Sequence, residues 1–230
     1  MHALQVMTRP VVTVPADATV FAAADILLGA RISGAPVIDA DGTLVGIVSE
    51  ADLMNRPETG TIPSRSWLQR LLADDTVQAR DYIRSHSHHV ADVMTRQVVT
   101  AGERMPLKDI AALMQDHHIK RVPIVRNGRV VGIVSRANLL QGLLAREAHP
   151  SEASSSDDAL RAKVAAELAR HGWISGVANA VVDKGAVHLW GLVGTSVCKD
   201  AVRIVVENIS GVRRVVNNIV VMPQAARGLL

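Results

Sequence analysis

Apolar and polar positions alternate along this chain in two rhythms, and the same succession of rhythms occurs twice. Val11 to Val14 is a short extended run, and Thr19-Val20-Phe21 opens a stretch with helical spacing. A Pro-containing apolar run follows, Ala35-Pro36-Val37-Ile38, then a turn at Asp41-Gly42 and the segment Leu44 to Val48, apolar at successive positions. Ser49 opens a closing helix. The order returns at Val98 to Ala101 and at Pro106, followed by Ile110, Leu113 and Met114 in helical register. It continues through Val122-Pro123-Ile124-Val125, Asn127-Gly128, Val130 to Val134 and Ser135. Each unit reads β-α-β-β-α.

The repetition extends to residue identity. Val6-Met7-Thr8-Arg9 recurs as Val93-Met94-Thr95-Arg96, and Val45-Gly46-Ile47-Val48-Ser49 as Val131-Gly132-Ile133-Val134-Ser135. The register between the two matches slips by one residue, at Asp39-Ala40-Asp41-Gly42 against Arg126-Asn127-Gly128. This is a duplicated unit. A unit of roughly 55 to 60 residues buries little surface alone, and strands apolar at successive positions want cover on both faces. Packing the units on each other would supply it, so one domain with an approximate internal twofold and a cleft between its halves is expected.

Residues 57–90 interrupt the pattern. Trp67, Leu68, Leu71 and Leu72 suggest an amphipathic helix, and Val77 to Ile83 a second or continued one. Covering one face of the pair and self-association are both open roles for this insertion. Beyond the second repeat, Glu147 to Ser156 is a polar, Ser-rich linker. Asp157-Asp158 then starts a helix with Leu160, Val164 and Leu168 on one face. Strands are expected at Val177 to Val182 and Ala186 to Leu192, turned by Asp183-Lys184-Gly185. A helix from Ser196 to Asn208 and a strand from Val212 to Val221 complete an α-β-β-α-β unit. The fold class is α+β. The divisions are repeat 1 at 1–56, the insertion at 57–90, repeat 2 at 91–146, the linker at 147–156 and the last domain at 157–223.

Composition removes several function classes. Twenty-five basic residues against 22 acidic ones form no clustered tract, and five aromatic residues are little material for stacking bases, so nucleic acid is not an expected partner. Cys198 is the only cysteine, which excludes an internal disulfide and a finger-type zinc site; a small apolar filler is its expected role. Met1 to Pro15 lacks the features of a signal peptide, and no apolar run approaches the ~20 residues of a bilayer span. A cytoplasmic location is expected. His86, His88 and His89 lack the i,i+4 spacing of a helical metal site and read as a solvated connector. No Ser-His-Asp order or HExxH sequence is recognisable, and no catalytic or metal-ligating residue is assigned. Gly191-Leu192-Val193-Gly194 suits a tight strand-to-helix turn. It also fits, weakly, the GxxG clamp of KH domains, which leaves nucleic-acid binding by the last domain as a remote alternative.

The Val-Met-Thr openings, the x-Pro-Val strands, the Asp/Asn-Gly turns and the Gly-Ile-Val-Ser-x-x-Asp/Asn endings, each present twice, resemble the tandem CBS domain family over about residues 3 to 145. The resemblance implies an adenine nucleotide or related adenosyl ligand (AMP, ADP, ATP or similar) as regulatory ligand, no required cofactor, no enzymatic activity and a homodimer. In that frame Asp52, three residues after Ser49, is the expected acceptor for a ribose diol, because one carboxylate can take both hydroxyls with charge-assisted strength. The adenine would be read by backbone near Thr13 and Gly34, Ala35, Pro36 and Val37, with Thr100 and Arg121, Val122 and Pro123 as counterparts. The start of the helix carrying Asp52 favours a phosphate nearby, and Lys120, Arg121 and Arg136 are the candidates for phosphate charge. In repeat 2, Ser135 leads to Asn138, which keeps an acceptor but not the charge. The same Ser-x-x-Asp spacing is also a capping box in which Asp52 reaches back to Ser49.

Val187-His188-Leu189-Trp190-Gly191-Leu192-Val193, the helix after it, and Ile209-Ser210-Gly211-Val212 before Val216-Asn217-Asn218-Ile219 resemble a BON domain. That resemblance implies a protein or phospholipid partner. Two readings follow: a sensor that relays ligand binding through the BON domain, and a constitutive scaffold whose CBS clefts stay empty.

Overall fold

The computed structural model describes residues 1–54, 56–57, 60–61, 75–147, 155–174 and 177–222. Trp67, Leu68, Leu71 and Leu72 lie outside the described residues, as do linker residues 148–154. In repeat 1 the elements are α1 (Ala3–Val6), β1 (Val14–Pro15), α2 (Val20–Ala30), β2 (Gly34–Ile38), β3 (Leu44–Ser49) and α3 (Glu50–Met54). The insertion contributes α4 (Asp75–His86). Repeat 2 contains α5 (Val90–Val93), α6 (Leu107–Asp116), β4 (Arg121–Arg126), β5 (Arg129–Ser135) and α7 (Arg136–Glu147). The C-terminal part is α8 (Ser155–Arg170), β6 (Val177–Asp183), β7 (Ala186–Val193), α9 (Ser196–Glu207) and β8 (Arg214–Val221).

The described chain forms two compact units, and neither is a contiguous repeat. One holds Val11–Val99 with Arg126–Val130; the other holds Met1–Pro10, Thr100–Val125 and the chain from Val131. The opening of each repeat has therefore left its own body. Thr8 exchanges hydrogen bonds with Ile133 (2.9 and 3.2 Å), and Thr95 does so with Ile47 (3.0 and 2.9 Å). These pairings lay Met7 on Gly132 and Met94 on Gly46, where the missing Cβ makes room for a thioether against backbone. The single-turn helices α1 and α5 that precede them carry no periodic signal in the sequence.

In the Val11–Val99 unit, β1 runs parallel to β2, and β2 pairs antiparallel with β3. Thr19 caps α2, its hydroxyl accepting from Ala22 N at 3.1 Å. Val20, Ala23 and Leu27 recur on one face of α2 and pack with Val14, Val37 and Val48. The β2–β3 connection is a three-residue loop. Asp39 N donates to Thr43 O, Asp39 Oδ1 accepts from Asp41 N and Thr43 N, and Gly42 holds φ 78°. Its counterpart in repeat 2 is a two-residue turn in which Asn127 and Gly128 both have positive φ, 52° and 76°. That is the geometry of a type I′ hairpin. The one-residue slip between repeats is thus a change of turn type.

In the other unit, Ile110, Met114, Val122, Ile124 and Val134 form a core with Ala3, Val6 and Met7. The C-terminal sheet has the order β6-β7-β8, with β6–β7 antiparallel and β7–β8 parallel. Leu160 and Val164 of α8 and Val202 and Val206 of α9 cover it, over Val187, Leu189 and Ile219. Cys198 is half-buried against this core. Asp157 does more than complement a helix dipole: its carboxylate accepts from Lys184 N and Gly185 N, pinning the β6–β7 turn to α8. Gly191, Leu192 and Val193 lie within β7, paired to Ile219, Val220 and Val221. Their backbone belongs to the sheet, so the tetrapeptide is not a clamp loop of the KH kind.

Candidate ligand-binding site

In repeat 1 the sheet collects the anticipated residues. Thr13 immediately precedes β1, whose Val14 lies opposite Val37. Gly34 lies opposite Ser49 across β2 and β3, and Glu50 N donates to Ser33 O at 3.2 Å, so the chain leaves the sheet at the Gly34 end of β2. Gly34, Ala35, Pro36 and Val37 are buried, while Thr13, Ser49 and Asp52 are half-buried. Asp52 Oδ2 accepts from Ser49 N at 2.9 Å and from Ser49 Oγ at 2.7 Å. The capping interaction is therefore made, and it uses one oxygen. Oδ1 has no hydrogen bond among the described residues. An ionised carboxylate with one oxygen anchored and one unengaged can still accept from hydroxyl donors with charge-assisted strength. The described part of α3 spans only Glu50–Met54, too short to add much of a dipole.

Repeat 2 starts from the same plan. Ala101 N donates to Pro123 O at 3.1 Å and Val125 N to Ala101 O at 2.9 Å, which seats Thr100 beside the strand carrying Arg121, Val122 and Pro123. Arg136 N donates to Lys120 O at 3.2 Å, as Glu50 does to Ser33. Lys120 and Arg136 are exposed, Arg121 is half-buried, and Val122 and Pro123 are buried. Asn138, however, is 3% exposed. Its Oδ1 accepts from Ser135 N (2.7 Å) and Ser135 Oγ (2.8 Å), and its Nδ2 donates to Thr8 Oγ1 (3.2 Å) and Gln141 Oε1 (3.1 Å). Both lone-pair directions of the oxygen are taken. In this arrangement Asn138 offers a diol no acceptor, against the expectation that it keeps one.

Three residues at this end of repeat 2 were not anticipated: Gln141, Arg161 and Asn179. Arg161 is 6% exposed on the apolar face of α8 and donates to the carbonyls of Leu4, Met7 and Ala180 at 2.6, 2.5 and 2.7 Å. Burial pulls its guanidinium down to about 10, Arg9 adds to the effect, and Asp158 opposes it. The group is charged at neutral pH. The sequence signal was slight, an arginine between Leu160 and Val164 where a helical face is otherwise apolar.

The histidines of the insertion serve local contacts. His86 stacks on Tyr82 at 4.0 Å between ring centroids, with Nδ1 within hydrogen-bond distance of Ser85 Oγ, and His88 stacks near Phe21. Among the described residues no cluster of three His, Cys, Asp or Glu is placed to hold a metal ion, and no helix is long and apolar enough to cross a membrane. An open cavity of about 610 Å³ lies in the C-terminal domain, bordered by Lys163, Lys184 and Arg213 with Asp157. None of the anticipated ligand residues lines it.

Comparison with known proteins places these features. The CBS domain model matches residues 3–58 and 90–145, and the BON domain model matches residues 156–223. An uncharacterized protein of Methanocaldococcus jannaschii is 36% identical over 125 residues, covering 50% of this chain and 74% of that protein. The chloroplastic CBS domain-containing protein CBSX1 of Arabidopsis thaliana is 31% identical over 142 residues, 55% of this chain and 56% of the relative. Inosine-5'-monophosphate dehydrogenase of Halobacterium salinarum is 33% identical over 156 residues, which is 67% of this chain but 26% of the enzyme. Among solved structures, CBSX2 in complex with AMP has 25% identity and a TM-score of 0.54, over 62% of this chain and 96% of that one.

Proposed function

Since the chain belongs to the CBS domain family and carries two CBS domains followed by a BON domain, we propose that it is a non-enzymatic regulatory protein that binds an adenine nucleotide or related adenosyl ligand and relays it to a partner through the BON domain. The observation that carries this reading is Asp52, whose anchored carboxylate keeps Oδ1 unengaged among the described residues beside the Gly34–Val37 strand. The likeness to CBSX2, solved with AMP, supports the ligand class. Thr13 and Gly34 to Val37 supply backbone groups for the base. The dehydrogenase match covers only a quarter of that enzyme, so it supports no catalytic reading.

The module acts as a homodimer in the cytoplasm, and α7 supports self-association. Leu140, Leu143 and Leu144 stand 61%, 65% and 52% exposed at i, i+3 and i+4, a contiguous apolar stripe that a second copy would cover. The partner of the BON domain is a protein or a phospholipid surface.

Calorimetry and thermal shift with AMP, ADP, ATP and S-adenosylmethionine test the ligand. A ligand at about 100 times its dissociation constant raises stability by about 2.7 kcal/mol, and Asp52→Ala removes most of that response. If the wild type responds to none of the four, the protein is the alternative, a constitutive scaffold with empty CBS clefts.

A further inference from the structure

The two repeats use one side-chain position in different ways. In repeat 1, Asp52 gives Oδ2 to Ser49 and leaves Oδ1 without a hydrogen bond among the described residues. In repeat 2, Asn138 gives its oxygen to Ser135 in the same manner, but its remaining atom, Nδ2, is held by Thr8 Oγ1 and Gln141 Oε1. Gln141 Oε1 is in turn the acceptor for Asn179 Nδ2 at 2.6 Å, and Asn179 Nδ2 also donates to Val6 O at 2.9 Å. Asn179 Oδ1 accepts from Arg161 Nη2 at 3.2 Å, and the same guanidinium holds Leu4 O and Met7 O. Asn138, Asn179 and Arg161 are 3%, 6% and 6% exposed. A continuous polar chain, buried at Asn138, Asn179 and Arg161 and half-buried at Gln141, thus runs from α8 and β6 of the BON domain to the diol position of repeat 2.

The buried links, at Asn138, Asn179 and Arg161, depend on their neighbours, because a buried donor or acceptor that loses its partner has no water to replace it. With its oxygen held by Ser135, Asn138 can meet a ligand only as a donor, through Nδ2 to a hydroxyl oxygen. For that it must release Thr8 and Gln141, the latter being the acceptor that anchors Asn179. We propose that the BON domain latches repeat 2. While Arg161 and Asn179 hold Leu4–Met7 and Gln141 in place, Asn138 stays turned onto the protein, so ligand entry at repeat 2 and docking of the BON domain exclude each other. This rests on the adenosyl-ligand reading above and couples ligand entry at repeat 2 to the BON domain. The coupling is reciprocal: loosening the joint opens repeat 2, and ligand in repeat 2 loosens the joint.

The test is calorimetric titration of the full-length chain with AMP, comparing wild type with Asn179→Ala. Gln141→Ala serves as a second variant, since Gln141 is half-buried and its loss leaves the Arg161 bonds in place. Circular dichroism checks that each variant is folded. Wild type is expected to take one AMP per chain, abolished by Asp52→Ala. Either variant is expected to take a second, and to retain it in an Asp52→Ala background at least tenfold more tightly than the Asp52→Ala protein alone. Wild type binding two AMP, or folded variants matching wild type in stoichiometry and affinity, would overturn the latch and leave the ligand reading standing. No AMP binding by wild type or either variant would overturn the ligand reading and the latch together.

Discussion

Met7 lies against the bare Cα of Gly132, in a strand more than 120 residues further along the chain. The reciprocal contact, Met94 against Gly46, has a second close neighbour, since a Cβ on Gly46 would also stand 3.2 Å from Thr95 O. Gly132→Ala and Gly46→Ala are each expected to cost about 1–3 kcal/mol by overpacking. Urea unfolding of double mutants separates them. Met7→Ala should relieve most of the Gly132→Ala penalty, because the three atoms nearest a Cβ there all belong to the Met7 side chain. Met94→Ala should relieve less of the Gly46→Ala penalty, because a backbone oxygen cannot be trimmed.

Arg161 ties the BON domain to the first residues of the chain. Arg161→Met keeps the apolar stem and removes donors to three carbonyls, of Leu4, Met7 and Ala180. A loss of about 2–4 kcal/mol is expected, since charged hydrogen bonds are the stronger ones and the buried acceptors lose their donors. Arg161→Lys, with a single ammonium, should fall between. Denaturant midpoints at neutral pH read the order; equal stability of all three proteins would mean the carbonyls find water instead.

The pH dependence of that gap has a definite sign. The guanidinium titrates at about 10 in the folded chain, below its ordinary value, which the unfolded chain retains. Below pH ~9 both states keep the proton and the wild type–Arg161→Met difference is flat. As pH rises through about 10 the folded state releases a proton that the unfolded state still holds, so the unfolded state binds more protons and wild type gains stability relative to the variant. Urea titrations of the two proteins from pH 7 to 11 check it, and a gap that shrinks above pH 9.5 would contradict the burial argument.

Thr19 and Thr195 cap α2 and α9 with side-chain oxygens 3.1 Å from Ala22 N and Cys198 N. Replacing either with alanine is expected to cost about 1 kcal/mol, which for a chain of this size lowers Tm by about 2–4 °C. Thr→Ser at either position keeps the acceptor and should cost less. Scanning calorimetry of the four single variants measures the difference.

Periodicity, turn chemistry and duplication are local properties, and they carried the β-α-β-β-α repeats, the α-β-β-α-β domain and the one-residue difference between hairpins directly from the chain. The Ser49–Asp52 spacing likewise marked a cap, and the CBS resemblance made Asp52 a candidate ligand acceptor; only three-dimensional placement showed that one oxygen caps while the other has no hydrogen bond among the described residues. Nothing local marks α1 and α5, because one helical turn holds no period. The exchanged repeat openings pair Thr8 with Ile133 and Thr95 with Ile47, and the joint in which Arg161 meets Met7 and Asn179 meets Val6 links residues 154 and 173 positions apart. Such partners are chosen by which buried donors and acceptors the packed chain brings within reach, and that is decided by tertiary structure alone.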